Sequence, residues 1–244
     1  MNWGTELLRL TLFASEQLQA SDHDWTAITG QSESETRHTN PNGGRLDVGK
    51  HRETQLAINS LGQRLDVVQS VYPSSVTEGT NAHTIGDWKR TREVFVEDTA
   101  PWLASVRYPV VRIAFSCVLL AEAADRMAAY QALKTVLKSV QVDPAEMRDL
   151  IFRVNWPQKS TAAPGLQVNR ITHWSAIRLH RVLVQVGGAD ASVAHGVTSH
   201  FVRLEVDHNT DEARKSPFAQ DEMVTIYKEL VELANENAER GERP

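Results

Sequence analysis

Two acidic residues near the end of the chain, Glu205 and Asp207, have the types and the spacing that could hold a divalent metal ion. Residues two apart on a strand lie on the same face, and paired carboxylates bind Mg²⁺ or Mn²⁺ in hydrolytic sites. His208 follows directly, and Asp66 lies on an earlier predicted strand beside Arg64. One hypothesis is therefore a metal-dependent nuclease or hydrolase that uses Glu205, Asp207, His208 and Asp66.

The same alternation is also typical of a half-exposed strand with no catalytic function. The even-numbered residues from Val202 to Val206 are apolar, and Arg203 lies on the carboxylate face, where it can neutralise the acids. We favour this structural interpretation, and we expect Arg64 and Asp66 to form a partly buried ion pair. The sequence therefore assigns no metal site and no cofactor.

A second group of candidates combines basic and aromatic residues between Arg148 and Arg181. Arginines that neutralise phosphates and rings that stack on bases are typical of single-stranded nucleic-acid binding. However, Arg178 and Arg181 fall on opposite faces of a predicted strand, so they do not gather on one surface. We favour arginines paired with the acidic C-terminal helix and tryptophans in the core. The candidates for nucleic-acid binding are Arg153, Lys159, Arg170, Arg178, Arg181, Trp156 and Trp174.

The segment GRLDVGKH, residues 44–51, differs by one residue from a phosphate-binding loop. The P-loop pattern GxxxxGK[ST] ends on a hydroxyl that binds Mg²⁺, follows a buried strand and opens a helix. Here His51 replaces the hydroxyl, a polar segment precedes and a strand pattern follows. We predict a glycine-bearing loop before a strand, and the common zinc, redox, hydrolase and dinucleotide motifs are absent from the sequence.

Composition places the chain among ordinary globular proteins. It has 244 residues, of which 41% are hydrophobic and 23% charged, enough for one large domain or two small ones. The net charge of −5 argues against a dedicated nucleic-acid binder, and the single cysteine, Cys117, fits a reducing compartment. The longest apolar run, residues 113–121, is far shorter than the roughly 20 residues of a membrane helix, and no signal peptide is recognisable. We expect a cytoplasmic protein without membrane contact.

Hydrophobic periodicity predicts more strands than helices. We expect an α+β fold, with a mainly antiparallel sheet, helices packed on one face and a long amphipathic C-terminal helix behind Ser216-Pro217. The segments 29–50 and 73–87 are predicted loops, the first of them mobile. We divide the chain into a β-rich part, residues 1–87, and an α+β part, residues 88–244, which could form one continuous domain. Predicted strands are 5–13, 54–60, 64–72, 110–118, 150–156, 167–174, 177–186 and 200–207, and predicted helices start at 88, 101, 125 and 143.

The late elements VNRITHWS and FVRLEVDHNTDE, followed by a long amphipathic helix, resemble a sporadically distributed group of uncharacterised bacterial proteins. The likeness covers pattern over about the last 140 residues and includes no catalytic motif, so no activity or site residue is transferred. It implies a bacterial origin and an accessory role.

Our first hypothesis is a non-catalytic, cytoplasmic protein-binding subunit of a bacterial multi-component assembly. Loops and helix faces commonly carry recognition, so we expect contact through the acidic face of the C-terminal helix and the loops at 29–50 and 73–87. The alternatives are the metal-dependent nuclease or hydrolase and a nucleic-acid-binding accessory protein that uses residues 148–181.

Overall fold

Ten strands form one antiparallel sheet in the part of the chain that the structure, a computed structural model, describes. The order across the sheet is β2-β3-β4-β5-β1-β6-β10-β9-β7, and the short β8 also pairs with β9. The strands are β1 (Gly4–Ala14), β2 (Thr36–Thr39), β3 (Arg45–His51), β4 (Thr54–Leu61), β5 (Arg64–Val71), β6 (Val110–Ala123), β7 (Ile151–Asn155), β8 (Gln158–Lys159), β9 (Gln167–Gly187) and β10 (Asp190–Thr210). The description omits residues 19–20, 42, 73–83, 188–189 and 243–244, and the side chains of residues 181–197.

Helices pack on one face of this sheet. α2 and α4 meet over its centre, where the rings of Phe95 and Tyr227 lie 6.5 Å and 6.2 Å from the ring of Phe115 in β6. The predicted α+β fold, with its long C-terminal helix, is confirmed. Among the residues that the structure describes, no helix is both long and apolar enough to cross a membrane. The described helices are α1 (Asp22–Thr29), α2 (Trp88–Ser105), α3 (Arg126–Val136) and α4 (Gln220–Arg240).

The core lies between the helices and the central strands β1 and β6. Alternate residues of β1, among them Leu8 and Leu10, are fully buried, and Leu10 is paired in register with the fully buried Phe115. Burial of each such side chain contributes roughly 1.5–3 kcal/mol. Cys117 is a free, fully buried thiol on the same face. The period-two pattern of the central strands thus builds the face on which the helices sit.

The two halves of the sheet repeat one order of elements. Each half begins with a central strand, β1 or β6, and continues with a helix, outer strands, a hairpin and a second helix. In each half the last strand returns to pair with the first, β5 with β1 and β10 with β6. The antiparallel pair β1–β6 joins the halves. One sheet therefore runs through both predicted parts, 1–87 and 88–244, and their division into domains stays a prediction.

The prediction of a mobile loop at 29–50 was wrong, because this segment contains β2 and β3. Polar contacts stabilise both strands, and neither shows, over its whole length, the alternation of apolar and polar residues that predicts a strand. The buried Asp47 carboxylate accepts hydrogen bonds from Arg37 Nε at 2.7 Å and Arg45 Nε at 2.6 Å. Burial alone would raise the pKa of Asp47, but these arginines lower it below its ordinary value.

Most of the segment GRLDVGKH is strand β3 itself, which corrects the predicted loop at residues 45–51. Gly49 is needed there for close packing, since a Cβ atom at this position would lie 3.0 Å from the Trp25 ring. His51, which replaced the hydroxyl of a P-loop, is paired through Nε2 with Asp98 of α2 at 2.8 Å.

Four further boundaries differ from the predictions. Asp143 caps a single turn through the Ala145 amide at 2.9 Å, but no helix follows at 143–146. α2 is one helix that continues through Pro101 to Ser105, where separate helices starting at 88 and 101 were predicted. β9 is one strand where two were predicted, and β10 begins ten residues earlier than predicted. Residues 73–83 of the predicted loop 73–87 lie outside the described part of the chain.

Candidate functional site

The hairpin of β9 and β10 extends well beyond the sheet. Pairing of β10 with β6 ends at His200, and pairing of β9 with β7 ends at Ser175, whereas β9 and β10 pair with each other as far as Gly187 and Asp190. Among the described strands, the segment beyond His200 has no other neighbour. Residues 179–187 and 190–199 form a two-stranded arm, about 30 Å long at roughly 3.4 Å per residue.

Burial falls at the base of this arm. Trp174 in β9 and Leu204 in β10 are fully buried, whereas Leu179 is 37% exposed. His180 and Thr198 are exposed cross-strand partners, and Thr198 Oγ1 lies 2.9 Å from His180 Nδ1. The arm therefore leaves the body of the protein near residue 179.

The equivalent hairpin of the first half has no such arm. β4 and β5 have eight residues each and turn at Gly62-Gln63, directly where the pairing of β5 with β1 ends. β9 and β10 have 21 residues each. The register shift between Ala194 and Val197 also places a β-bulge in the arm, a feature that is common on exposed edges.

The two carboxylates of the metal hypothesis do share one face, as their spacing predicts. Glu205 and Asp207 line a cavity of about 330 Å³ on the helix-free face of the sheet, together with His173 and Arg153. Glu205 is bound to Arg203 and lies 3.3 Å from His173 Nδ1. Ion pairing within the sheet thus already occupies one carboxylate of the pair.

The other two residues of that hypothesis lie elsewhere. His208 faces the helices, is fully buried and contacts the Leu230 carbonyl through Nδ1 at 3.3 Å. Asp66 lies in β5, separated from β10 by β1 and β6, and accepts hydrogen bonds from Thr11 at 2.6 Å and Arg64 at 2.9 Å. In the described part of the chain, no three His, Cys, Asp or Glu side chains are placed to hold a metal ion.

The basic and aromatic candidates are also dispersed. Arg170 is buried, and its Nη2 lies 3.4 Å from a carboxylate oxygen of Glu236 in α4. Trp174 packs in the core, with its ring centroid 6.2 Å from that of Trp3. Arg153 and Lys159 are exposed near the sheet edge, Arg178 is exposed at the base of the arm, and Trp156 is partly buried beyond β7. The side chain of Arg181 lies outside the described atoms.

Part of the acidic face of α4 binds within the protein, while Glu232 and Glu239 on the same face are exposed. Glu229 accepts hydrogen bonds from Ser160 Oγ and Thr161 N at 2.5 Å and 2.6 Å. Although burial would raise the pKa of Glu229, these hydrogen bonds lower it. Glu232 lies 3.8 Å from Arg92. Glu229 therefore fixes α4 to the segment after β8, and Glu236 fixes it to Arg170 of β9.

Sequence reasoning missed two features that the structure brings together. The arm was missed because residues 187–199 are rich in Gly, Ala, Ser and Thr, a composition typical of loops. Arg126 was not singled out, yet it lies with Arg148 and Arg178 around one cavity. Its position directly after Asp125, the N-cap of α3, gave no signal of that cavity.

No protein-family model matches the sequence, and no curated protein matches it either.

Proposed function

We propose that this chain is a non-catalytic, cytoplasmic protein-binding subunit of a bacterial multi-component assembly, and that the β9–β10 arm binds its partner. The observation that carries the proposal is the extension of this hairpin by eight residue pairs beyond the sheet. The bacterial origin and the accessory role rest on the resemblance of the late elements.

The composition of the arm favours a protein partner over a nucleic acid. Between residues 179 and 199 the sequence has one arginine, Arg181, no lysine and one acidic residue, Asp190, and about half of its residues are apolar. Nucleic-acid binding depends on cationic side chains that neutralise phosphates. A neutral, apolar ribbon instead suits burial against another protein.

The edges of the arm supply the means of binding. A two-stranded ribbon is marginally stable alone in water, and its edges present unpaired N–H and C=O groups. A partner strand that adds to one edge satisfies those groups through main-chain hydrogen bonds. We expect the partner to contribute such a strand and an apolar surface.

A shortened arm tests the proposal. His180 and Thr198 face each other, so residues 181–197 can be replaced by Asn-Gly, which forms a two-residue hairpin turn. The full chain and the shortened chain each carry an affinity tag and a photo-crosslinking residue at position 179. Each is incubated with nuclease-treated extract of the native host, crosslinked and then captured by its tag. We expect one stoichiometric protein partner, crosslinked to the full chain and lost from the shortened chain.

Leu61→Asn is the matched control. Leu61 is 55% exposed at the tip of the equivalent hairpin in the first half, so this variant changes an exposed apolar residue without touching the arm. It should retain the partner. Equal capture of the partner by the shortened chain would remove the support for the proposal, as would crosslinks that join only two copies of this chain.

A further inference from the structure

Three arginines converge on a cavity of about 510 Å³ at the base of the arm. Arg126 is the first residue of α3, Arg148 lies in the segment before β7, and Arg178 lies in β9. His200, the cross-strand partner of Arg178, also lines the cavity. Residues from four separate elements thus place cationic or basic groups around one space.

Two of these guanidinium groups are held close together by the backbone. Arg126 Nη1 and Arg148 Nη1 both donate to the Met147 carbonyl oxygen, at 3.0 Å and 2.9 Å, so the two nitrogens lie within about 6 Å of each other. The Arg126 guanidinium also lies over the Tyr130 ring, 5.4 Å from its centroid. The same Nη1 atoms also donate to the carbonyls of Pro144 and Ala145, at 3.0 Å and 2.9 Å, and carbonyl contacts do not neutralise the charge of either group.

No ion pair between described residues involves Arg126, Arg148 or Arg178. The cavity contains one carboxylate, that of Asp149, whose backbone has a φ of 52°. A positive φ is uncommon outside glycine and often marks functional positions. Three arginines against one carboxylate leave an excess of positive charge that an anion would compensate.

We propose that this cavity binds the phosphate group of a phosphate monoester. Guanidinium groups donate paired hydrogen bonds to phosphate oxygens, and a doubly charged anion matches several arginines better than a single carboxylate does. The volume exceeds that of phosphate alone and falls in the range of small-molecule sites. Ala129, Ala176 and Ile177 give part of the wall an apolar surface for the organic group of the ester.

Isothermal titration of the full chain with phenyl phosphate, and with phenol as the uncharged control, tests this proposal. We expect saturable binding of phenyl phosphate and none of phenol. Arg178→Ala should weaken binding about tenfold or more, because it removes a charged donor. Arg178 is exposed on a strand, so the variant should keep the wild-type melting temperature; if it does not, Arg178→Lys, which keeps the charge, replaces it.

Arg153→Ala is the matched control, because Arg153 is an exposed arginine on neighbouring β7 that does not line this cavity. It should leave the affinity for phenyl phosphate unchanged. A 5′-phosphorylated oligonucleotide and its 5′-hydroxyl form distinguish a free ester from a nucleic-acid end. Binding of the 5′-phosphorylated oligonucleotide, and not of its 5′-hydroxyl form, would support binding of a terminal phosphate at the same site.

Three results would overturn the proposal. One is the absence of phenyl phosphate binding up to ~10 mM, a concentration that detects even very weak complexes. Another is an equal loss of affinity in Arg153→Ala and Arg178→Ala. The third is equal binding of both oligonucleotides, which would indicate recognition of the phosphate backbone instead of a monoester.

Discussion

A neutral histidine in the core should make this protein less stable at weakly acidic pH. His208 is fully buried beneath α4, and because the Leu230 carbonyl can only accept, Nδ1 of His208 carries the proton of that contact. Burial, with the positive charge of Arg170 added to it, lowers the pKa of His208 to about 3. In the unfolded chain the imidazole titrates at its ordinary pKa of about 6.5.

The sign and size of the effect follow from these two pKa values. Between them the unfolded chain binds a proton that the folded chain does not, so the free energy of unfolding rises with pH in this window. Stability from this residue is complete above pH 6.5 and is lost as the pH falls toward 3. At about 1.4 kcal/mol per pH unit, a change from pH 7.5 to pH 5 costs about 2 kcal/mol.

Urea unfolding at pH 7.5 and pH 5 measures this cost. His208→Leu has a similar side-chain volume and does not titrate, while all other titrating groups remain common to both proteins. We expect the wild type to lose about 2 kcal/mol more than the variant over this pH change. Equal losses in the two proteins would show that His208 is protonated in the folded state and refute the reasoning.

Further substitutions separate buried groups from exposed ones. Arg170→Ala should destabilise the protein by about 3 kcal/mol in urea titrations, because it breaks a buried charged network, whereas exposed Lys159→Ala should change stability by less than about 0.5 kcal/mol. Trp174→Ala should cost about 3–5 kcal/mol by the same assay, since it empties the space beside Trp3. Burial raises the pKa of the Cys117 thiol, so Cys117 should react with a thiol reagent in 6 M guanidinium and not in the native protein; rapid native labelling would contradict its burial.

The sequence predicted those parts of the fold in which apolar periodicity and burial coincide. β1, the β4–β5 hairpin and α4 each bury one regular apolar stripe, so their pattern gave their type. β2 and β3 were not predicted, because hydrogen bonds between Asp47 and two arginines stabilise them instead of an apolar stripe. The repeated order of the two halves was invisible because only the positions of the strands repeat, and the hairpins differ in length by 13 residues per strand.

The candidate sites were predictable only where they are local. The spacing of two residues was enough to place Glu205 and Asp207 on one face of a strand. The position of Asp66, three strands away, depends on the order of the strands in the sheet, which local spacing does not reveal. Likewise, no local pattern could show that Arg126 and Arg178 line one cavity, since α3 and β9 meet only through the tertiary fold.

The affinity of the purified partner for the full chain and for the chain with residues 181–197 replaced by Asn-Gly tests the central claim most directly. Both proteins should show the same cooperative unfolding, because the arm extends beyond the residues of β9 and β10 that pair with β7 and β6. We expect the shortened chain to bind at least about a hundredfold more weakly, a loss of roughly 3 kcal/mol, and Leu61→Asn to bind as tightly as the wild type. A partner that binds the shortened chain with undiminished affinity would contradict the assignment of the arm as the binding surface.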